Sequence, residues 1–150
     1  MEITVKEVEL TPEVLEQLIA FSEAWEKENC CHGYYKNTAE DIRGNRIFLA
    51  YEDGQTVGYL FCRKRNTDKT TSIYTAGKEY YEIEELYVTP EYRSRGNGKQ
   101  LFRAAERAVA DEVEFVKLGT ATKNFRAILH FYIDELGLEF WCATLIKKIR

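Results

Sequence analysis

The sequence predicts an α/β domain with a mixed sheet. Hydrophobic periodicity switches repeatedly between two and about 3.6 residues along the chain, as alternating strands and helices require. Turn and capping residues fall between those segments, and no linker, repeat or low-complexity run interrupts them. The resulting order is β-α-α-β-β-β-α-β-α-β.

Residues 2–9 alternate as a first strand. Thr11-Pro12-Glu13 starts a helix, with Thr as cap and Pro at the first helical position. Val14, Leu15, Leu18, Ile19, Phe21 and Trp25 follow at helical spacing. Thr38 caps a short second helix that Gly44 ends. Ile47–Tyr51 is a strand, Asp53-Gly54 a hairpin turn, and Val57–Cys62 its partner. Residues 64–78 are polar and read as a loop or long hairpin tip. Residues 79–88 form the next strand, 97–111 a helix, and 113–118 an alternating strand. Asn124 caps a helix that runs to about residue 135, where Gly137 stops it, and Leu138 to Ile149 is rich in β-formers and reads as a closing strand.

A chain of 150 residues is the size of one domain with a proper core. Its hydrophobic share of 45% and charged share of 31% are those of an ordinary globular protein. No run approaches the ~18 apolar residues of a membrane span. The first residues carry neither the basic nor the apolar region of a signal peptide, so a cytoplasmic location is expected. A net charge of −4 argues against general nucleic-acid binding. The four cysteines show no Cys-x-x-Cys spacing, and Cys30-Cys31-His32 lacks a second half, so reduced thiols and no metal site are expected.

The segment richest in chemistry is Tyr92-Arg93-Ser94-Arg95-Gly96-Asn97-Gly98-Lys99, between the strand ending Leu86-Tyr87-Val88 and the helix beginning Gln100-Leu101-Phe102. Glycines let the backbone approach an anion, and the first turn of a helix offers free N–H groups and a positive dipole end. A phosphorylated ligand is therefore expected. A Walker A loop is excluded: Arg93 stands where its first glycine belongs, and Gln100 where Ser or Thr is needed. A dinucleotide fingerprint is excluded by Leu101 in place of the third glycine.

Arg93-x-x-Gly96-x-Gly98 after a strand ending Leu-x-Val resembles the acyl-coenzyme A loop of the GNAT superfamily of N-acetyltransferases. The element order is similar to that family's over nearly the whole chain. Asn124-Phe125-Arg126-Ala127 with Tyr132 and Leu136-Gly137-Leu138 is similar to its second signature. In this copy Tyr132 lies one residue further from Asn124 than is usual, the Tyr-to-Gly interval is longer by one, and Leu138 replaces a Phe. The extra residue predicts a bulged helix or a shifted helix end, and leaves open whether Tyr132 or Phe131 holds the expected place.

The resemblance implies a GNAT-like, mostly antiparallel sheet flanked by helices, in one domain spanning residues 1–150. It implies acetyl-CoA as co-substrate. Its pyrophosphate would sit on the backbone of Ser94, Arg95, Gly96, Asn97, Gly98 and Lys99, beside Arg93, and its pantetheine arm along Leu86, Tyr87 and Val88. The Val88 N–H is the best-placed oxyanion donor. Asn124 either bonds the pantetheine or caps its own helix. Of the three glutamates on the strand, Glu82 stands where family members often place the base. Glu84 shares its face by period two and is the reserve. Tyr132 would protonate the leaving thiolate. Direct transfer is preferred over an acyl-cysteine intermediate, since no cysteine lies near either motif in sequence.

The region between the first two helices carries Glu23, Glu26, Glu28, Tyr34, Tyr35, Glu40 and Asp41. Acidic and tyrosine residues favour a small cationic amine, polyamine- or aminoglycoside-like, as acceptor. The partners expected are thus that small-molecule amine, no nucleic acid and no membrane, with a homodimer possible by the resemblance. The alternatives are a non-catalytic acyl-CoA binding or sensing domain and a protein N-acetyltransferase.

Overall fold

A computed structural model of the protein describes residues 2–70 and 75–150. Five strands form one sheet in sequence order: β1 (Thr4–Val8), β2 (Arg46–Glu52), β3 (Gln55–Asn66), β4 (Glu79–Val88) and β5 (Phe115–Lys117). The first four pair antiparallel, and β5 joins β4 in parallel. This is the mixed, mostly antiparallel sheet that the sequence predicts.

One face of the sheet is covered by α1 (Pro12–Glu28) and α2 (Ala39–Ile42), where Leu18 and Ile42 pack on Ile47, Leu49, Tyr59, Phe61 and Tyr87. The opposite face carries α3 (Asn97–Val109), whose Leu101, Phe102, Ala105 and Val109 recur at helical spacing and bury against Phe48, Leu60 and Ile83. Helix α1 starts as expected: Thr11 Oγ1 accepts from the Val14 N–H at 3.2 Å, and Pro12 sits at the first turn. Asp53 and Gly54 both adopt positive φ, the conformation a two-residue hairpin turn needs.

Two expectations change, over the polar stretch 64–78 and the closing strand, and the predicted bulge of the last helix is found. Strand β3 runs on to Asn66, into the stretch read as loop, because Arg63, Lys64, Arg65 and Asn66 find partners in Glu82 to Glu79 of β4. Polar side chains there lie on an exposed ladder, so polarity does not mark a loop. Residues 71–74 of that stretch lie outside the described residues. The helix after Asn124 is α4 (Phe125–Leu129), followed without a break by a π-helical turn over His130–Glu135. The Leu136 N–H reaches the Phe131 carbonyl at 3.0 Å, five residues back, and so absorbs the extra residue of the second signature.

The closing strand does not form: residues 138–150 belong to no helix or strand, and Leu145, Ile146 and Ile149 are about 90% exposed. Strand-forming residues supply capacity only. A strand also needs a neighbouring edge, and β5 offers three residues of one. Gly137, at φ +79°, ends the helical turn, and the chain leaves the sheet there.

Candidate functional site

Strand β4 carries the site, and a bulge decides what it presents. Phe61 of β3 faces Glu85 and Cys62 faces Ile83, which leaves Glu84 as the extra residue. Tyr81 and Ile83 therefore point to the α3 side, and Leu86 and Val88 do so again after an interval of three. Glu85 falls on the α1–α2 side, next to Tyr59 and Tyr87.

There it is enclosed by donors. Glu85 Oε1 accepts from Tyr59 OH at 2.6 Å, Asn37 Nδ2 at 2.8 Å and Tyr34 OH at 3.1 Å. Behind Tyr34, the Ser22 hydroxyl lies 2.8 Å away and accepts from the Asn37 N–H at 2.6 Å. These bonds fasten the 34–37 loop to α1 and converge on one carboxylate oxygen. Burial pushes the Glu85 carboxyl above its ordinary range, and the bonds from Tyr59, Asn37 and Tyr34 work against that rise. Burial beside the same carboxylate raises the Tyr59 and Tyr34 hydroxyls too, so both stay protonated and donate.

Glu82 and Glu84 share one partner. Arg65 Nε stands 2.8 Å from Glu82 Oε1, and its Nη2 stands 2.6 Å from Glu84 Oε1. Glu84 and Glu85 line one cleft of about 280 Å³ together with Asn37, Phe61, Arg63 and Arg65. Most of the acidic residues of the first two helices are engaged in structure. Lys36 takes Glu23 at 3.2 Å and its N–H bonds Glu26 at 2.8 Å; Glu40 pairs with Arg43, and Asp41 caps Thr38. Glu28 grips Arg93 through both oxygens and accepts from Tyr87 OH at 2.8 Å.

Beyond the cleft, β4 has an open side. Strand β5 pairs only with Tyr80, Tyr81 and Glu82, so Leu86, Tyr87 and Val88 have β3 on one side and no strand on the other among the described residues. On the β3 side the approach is close: a Cβ at Gly58 would stand 2.6 Å from the Tyr87 carbonyl oxygen. The basic loop then follows. Ser94 and Gly96 have positive φ, and Gly96 immediately precedes α3. Two of its arginines brace the loop. Arg93 Nε donates to the Val88 carbonyl at 2.7 Å while its other nitrogens hold Glu28, and Arg95 pairs with Glu52. Asn97, fully buried, donates to Glu52 Oε2 at 2.8 Å and to the Tyr92 carbonyl at 3.1 Å. The Asn97 bond and then Arg95 hold the Glu52 carboxyl below its usual range. Lys99 is exposed in the first turn of α3. At Gly98 a Cβ would come to 3.4 Å from the Phe131 ring and 3.6 Å from Leu86, so α3 sits close against both.

Phe131 thus lies beside the loop, with Tyr132 next to it at a ring distance of 5.1 Å. Burial pushes the Tyr132 hydroxyl up to about 12. Asn124 precedes α4 but makes no side-chain cap bond and is exposed. Residues 30–32 lie against 121–123: the Lys123 N–H meets the Cys30 carbonyl at 2.8 Å and the His32 N–H meets that of Ala121 at 2.8 Å. Two cysteines hence come near Asn124 in space though not in sequence. Burial raises the Cys31 thiol to about 11 and the Cys62 thiol to about 12, which leaves both protonated and poorly nucleophilic at neutral pH.

Strand β4 of this mixed sheet thus has an open side, with a glycine-containing loop and a helix start at its end. Residues 13–138 match the acetyltransferase (GNAT) family, and the chain belongs to it. An uncharacterized N-acetyltransferase from Archaeoglobus fulgidus is 31% identical over 90 residues, which span 59% of this chain and 57% of that relative. Solved structures show the same fold. An aminoglycoside acetyltransferase from an uncultured soil metagenomic sample, in complex with sisomicin, has a TM-score of 0.68 at 19% identity, over 99% of this chain and 97% of that one. AAC(6')-Iy in complex with a bisubstrate analogue of coenzyme A has a TM-score of 0.68 at 18% identity, over 100% and 99%. A transcriptional regulator from Bacillus halodurans has a TM-score of 0.67 at 22% identity, over 99% and 100%.

Proposed function

We propose that the protein transfers the acetyl group of acetyl-CoA directly to a small primary amine that arrives as a cation. The observation that carries this reading is the juxtaposition on β4: a buried carboxylate at Glu85, then the open strand side at Leu86–Val88, then the loop from Arg93 to Lys99. Acetyl-CoA lies with its pyrophosphate on the backbone from Ser94 to Lys99 and its pantetheine along Leu86, Tyr87 and Val88. Arg93 acts here by holding the Val88 carbonyl and Glu28, so it shapes the strand end from which the Val88 N–H serves the carbonyl oxygen. The exposed Asn124 side chain is left for the pantetheine amide.

Of the three glutamates, Glu85 takes the base. Its Oε1 is filled by three donors, which fixes the carboxylate and leaves Oε2 for the ammonium. Glu82 and Glu84, the base and reserve expected from sequence, hold Arg65 between them, and Arg65 and Glu84 form part of the wall of the acceptor cleft. Once the amine has lost its proton it attacks the thioester carbon, and the tetrahedral intermediate collapses with loss of the thiolate. Tyr132, whose raised phenol is protonated at neutral pH, supplies the proton to the thiolate, and the second proton that the nitrogen sheds as the amide forms restores the phenol. Holding both reactants in line is worth about 7–11 kcal/mol in favourable cases, and each proton transfer about 10²–10⁴-fold. That small amines are acceptors accords with the aminoglycoside acetyltransferases of like fold.

The test is to incubate the protein with acetyl-CoA and a panel of primary amines, and to look for the N-acetylated product by mass spectrometry with stoichiometric release of coenzyme A. Release of the thiol without an acetylated amine, or neither, would reject the reading in favour of a non-catalytic acyl-CoA binding domain.

A further inference from the structure

The charges lining the acceptor cleft do not all cancel. Arg65 is neutralised by Glu82 and Glu84, Glu40 is paired with Arg43, and Asp41 is spent on the backbone and hydroxyl of Thr38. Three of the lining charges have no opposite charge as partner among the described residues. Two are Asp41 and Glu85, which take hydrogen bonds only from neutral groups. The third is Arg63, whose Nη2 donates to the Arg43 carbonyl and whose buried Nε makes no hydrogen bond. Glu85 and Arg63 line the same cleft. Phe61 is the cross-strand partner of Glu85 and Arg63 follows it by two on the same face, so the two charges sit several ångströms apart.

From this we infer that the acceptor is a small zwitterion, a primary amine that also carries a carboxylate, with the ammonium at Glu85 and the carboxylate on the Arg63 guanidinium. A guanidinium presents its donors as a fork that fits a carboxylate, and the one hydrogen bond Arg63 makes, from Nη2 to the Arg43 carbonyl, leaves it charged and without a carboxylate. A polycation would meet acids already taken by Arg65 and Arg43, and would place positive charge against Arg63. The size agrees: about 280 Å³ lies just under the ~300–1,000 Å³ of ligand pockets, which suits an amino-acid-sized molecule better than a multi-ring one. This inference rests on the acetyl-transfer reading above and narrows its substrate.

The experiment compares amines that differ only in the carboxylate, L-lysine against cadaverine and 4-aminobutyrate against n-butylamine, with spermidine and sisomicin alongside. Formation of acetylated amine is followed in the wild type, Arg63→Gln and Arg63→Lys. The wild type is expected to prefer the carboxylate member of at least one pair by about tenfold or more in kcat/KM, the order of a charge-assisted bond. Arg63→Gln removes that preference by raising KM for the carboxylate member, leaves kcat and the decarboxylated partner unchanged, and binds acetyl-CoA as before. Arg63→Lys restores part of it. Equal or better use of cadaverine and n-butylamine, turnover of spermidine or sisomicin alone, or an equal loss on both members of a pair in Arg63→Gln would overturn the inference while acetyl transfer stands. Binding of acetyl-CoA with no acetylated product from any amine would remove both readings together.

Discussion

The Tyr59 hydroxyl donates to Glu85 Oε1 at 2.6 Å, from β3 to the next strand, and this contact exists because β4 bulges at Glu84. Without the bulge, strict alternation would send Glu85 to the α3 face. With it, one carboxylate is buried beside the cleft and held by neutral donors, an arrangement suited to the base proposed above, which must gain and lose a proton.

Glu85→Gln keeps an oxygen for Tyr59, Asn37 and Tyr34 and removes only the charge. Acetylation is expected to fall by about 10²–10⁴-fold in kcat/KM, with acetyl-CoA affinity unchanged. Steady-state kinetics beside calorimetry checks it, and a variant as active as the wild type would take Glu85 out of the mechanism.

The pH dependence follows from the sign of the shift. Burial raises the folded carboxyl above its unfolded value of about 4.3, so the base is ionised, and the rate high, only above that raised value. Stability runs the other way. The protonated form is favoured in the folded state, so Glu85 contributes most below about pH 4.3 and loses that contribution as pH rises through the folded value. Comparing wild type and Glu85→Gln, Tm against pH should show this loss in the wild type alone, and kcat/KM should rise with pH over the same window.

Gly58→Ala tests the close approach of β3 to β4, the strand proposed to carry the pantetheine arm. Its Cβ would stand 2.6 Å from the Tyr87 carbonyl oxygen and 3.1 Å from a Val88 methyl, so β4 must shift. A loss of about 1–3 kcal/mol in chemical denaturation is expected, the usual range for overpacking, with weaker acetyl-CoA binding.

Tyr132→Phe removes the proposed acid and little packing. A fall of about tenfold to a hundredfold in kcat, with KM for acetyl-CoA unchanged, is expected. Unchanged kcat in Tyr132→Phe would take Tyr132 out of the acid's role.

Much of this was legible in the chain, and the exceptions have physical reasons. The hairpin turn at Asp53-Gly54, the cap at Thr11, the strand at 79–88 and the loop into α3 are set by local chemistry, which a sequence displays. The extra residue of the second signature announced a bulged or shifted helix, and the π-helical turn at His130–Glu135 accommodates it. The bulge in β4 had a sign as well: apolar residues at 81 and 83 recur at 86 and 88, an interval of three where a regular strand has two. The resemblance put Glu82 first and period two added Glu84, and neither registers the bulge that turns Glu85 toward α1 and α2. The pairing of Glu28 with Arg93, of Glu52 with Arg95, and of Arg65 with two glutamates joins residues distant in sequence, and charge alone does not say which acids are free. The segment after Gly137, which joins no strand, shows the same limit, since β-propensity cannot supply an edge.

The measurement that bears most directly on the account is a calorimetric titration of the protein with acetyl-CoA, with ATP as the control nucleotide. The loop at Arg93–Lys99 and the open side of β4 predict a single site of roughly micromolar affinity for acetyl-CoA and none of comparable strength for ATP, which lacks the pantetheine arm. Absence of acetyl-CoA binding, or equal binding of ATP, would contradict the account at its base.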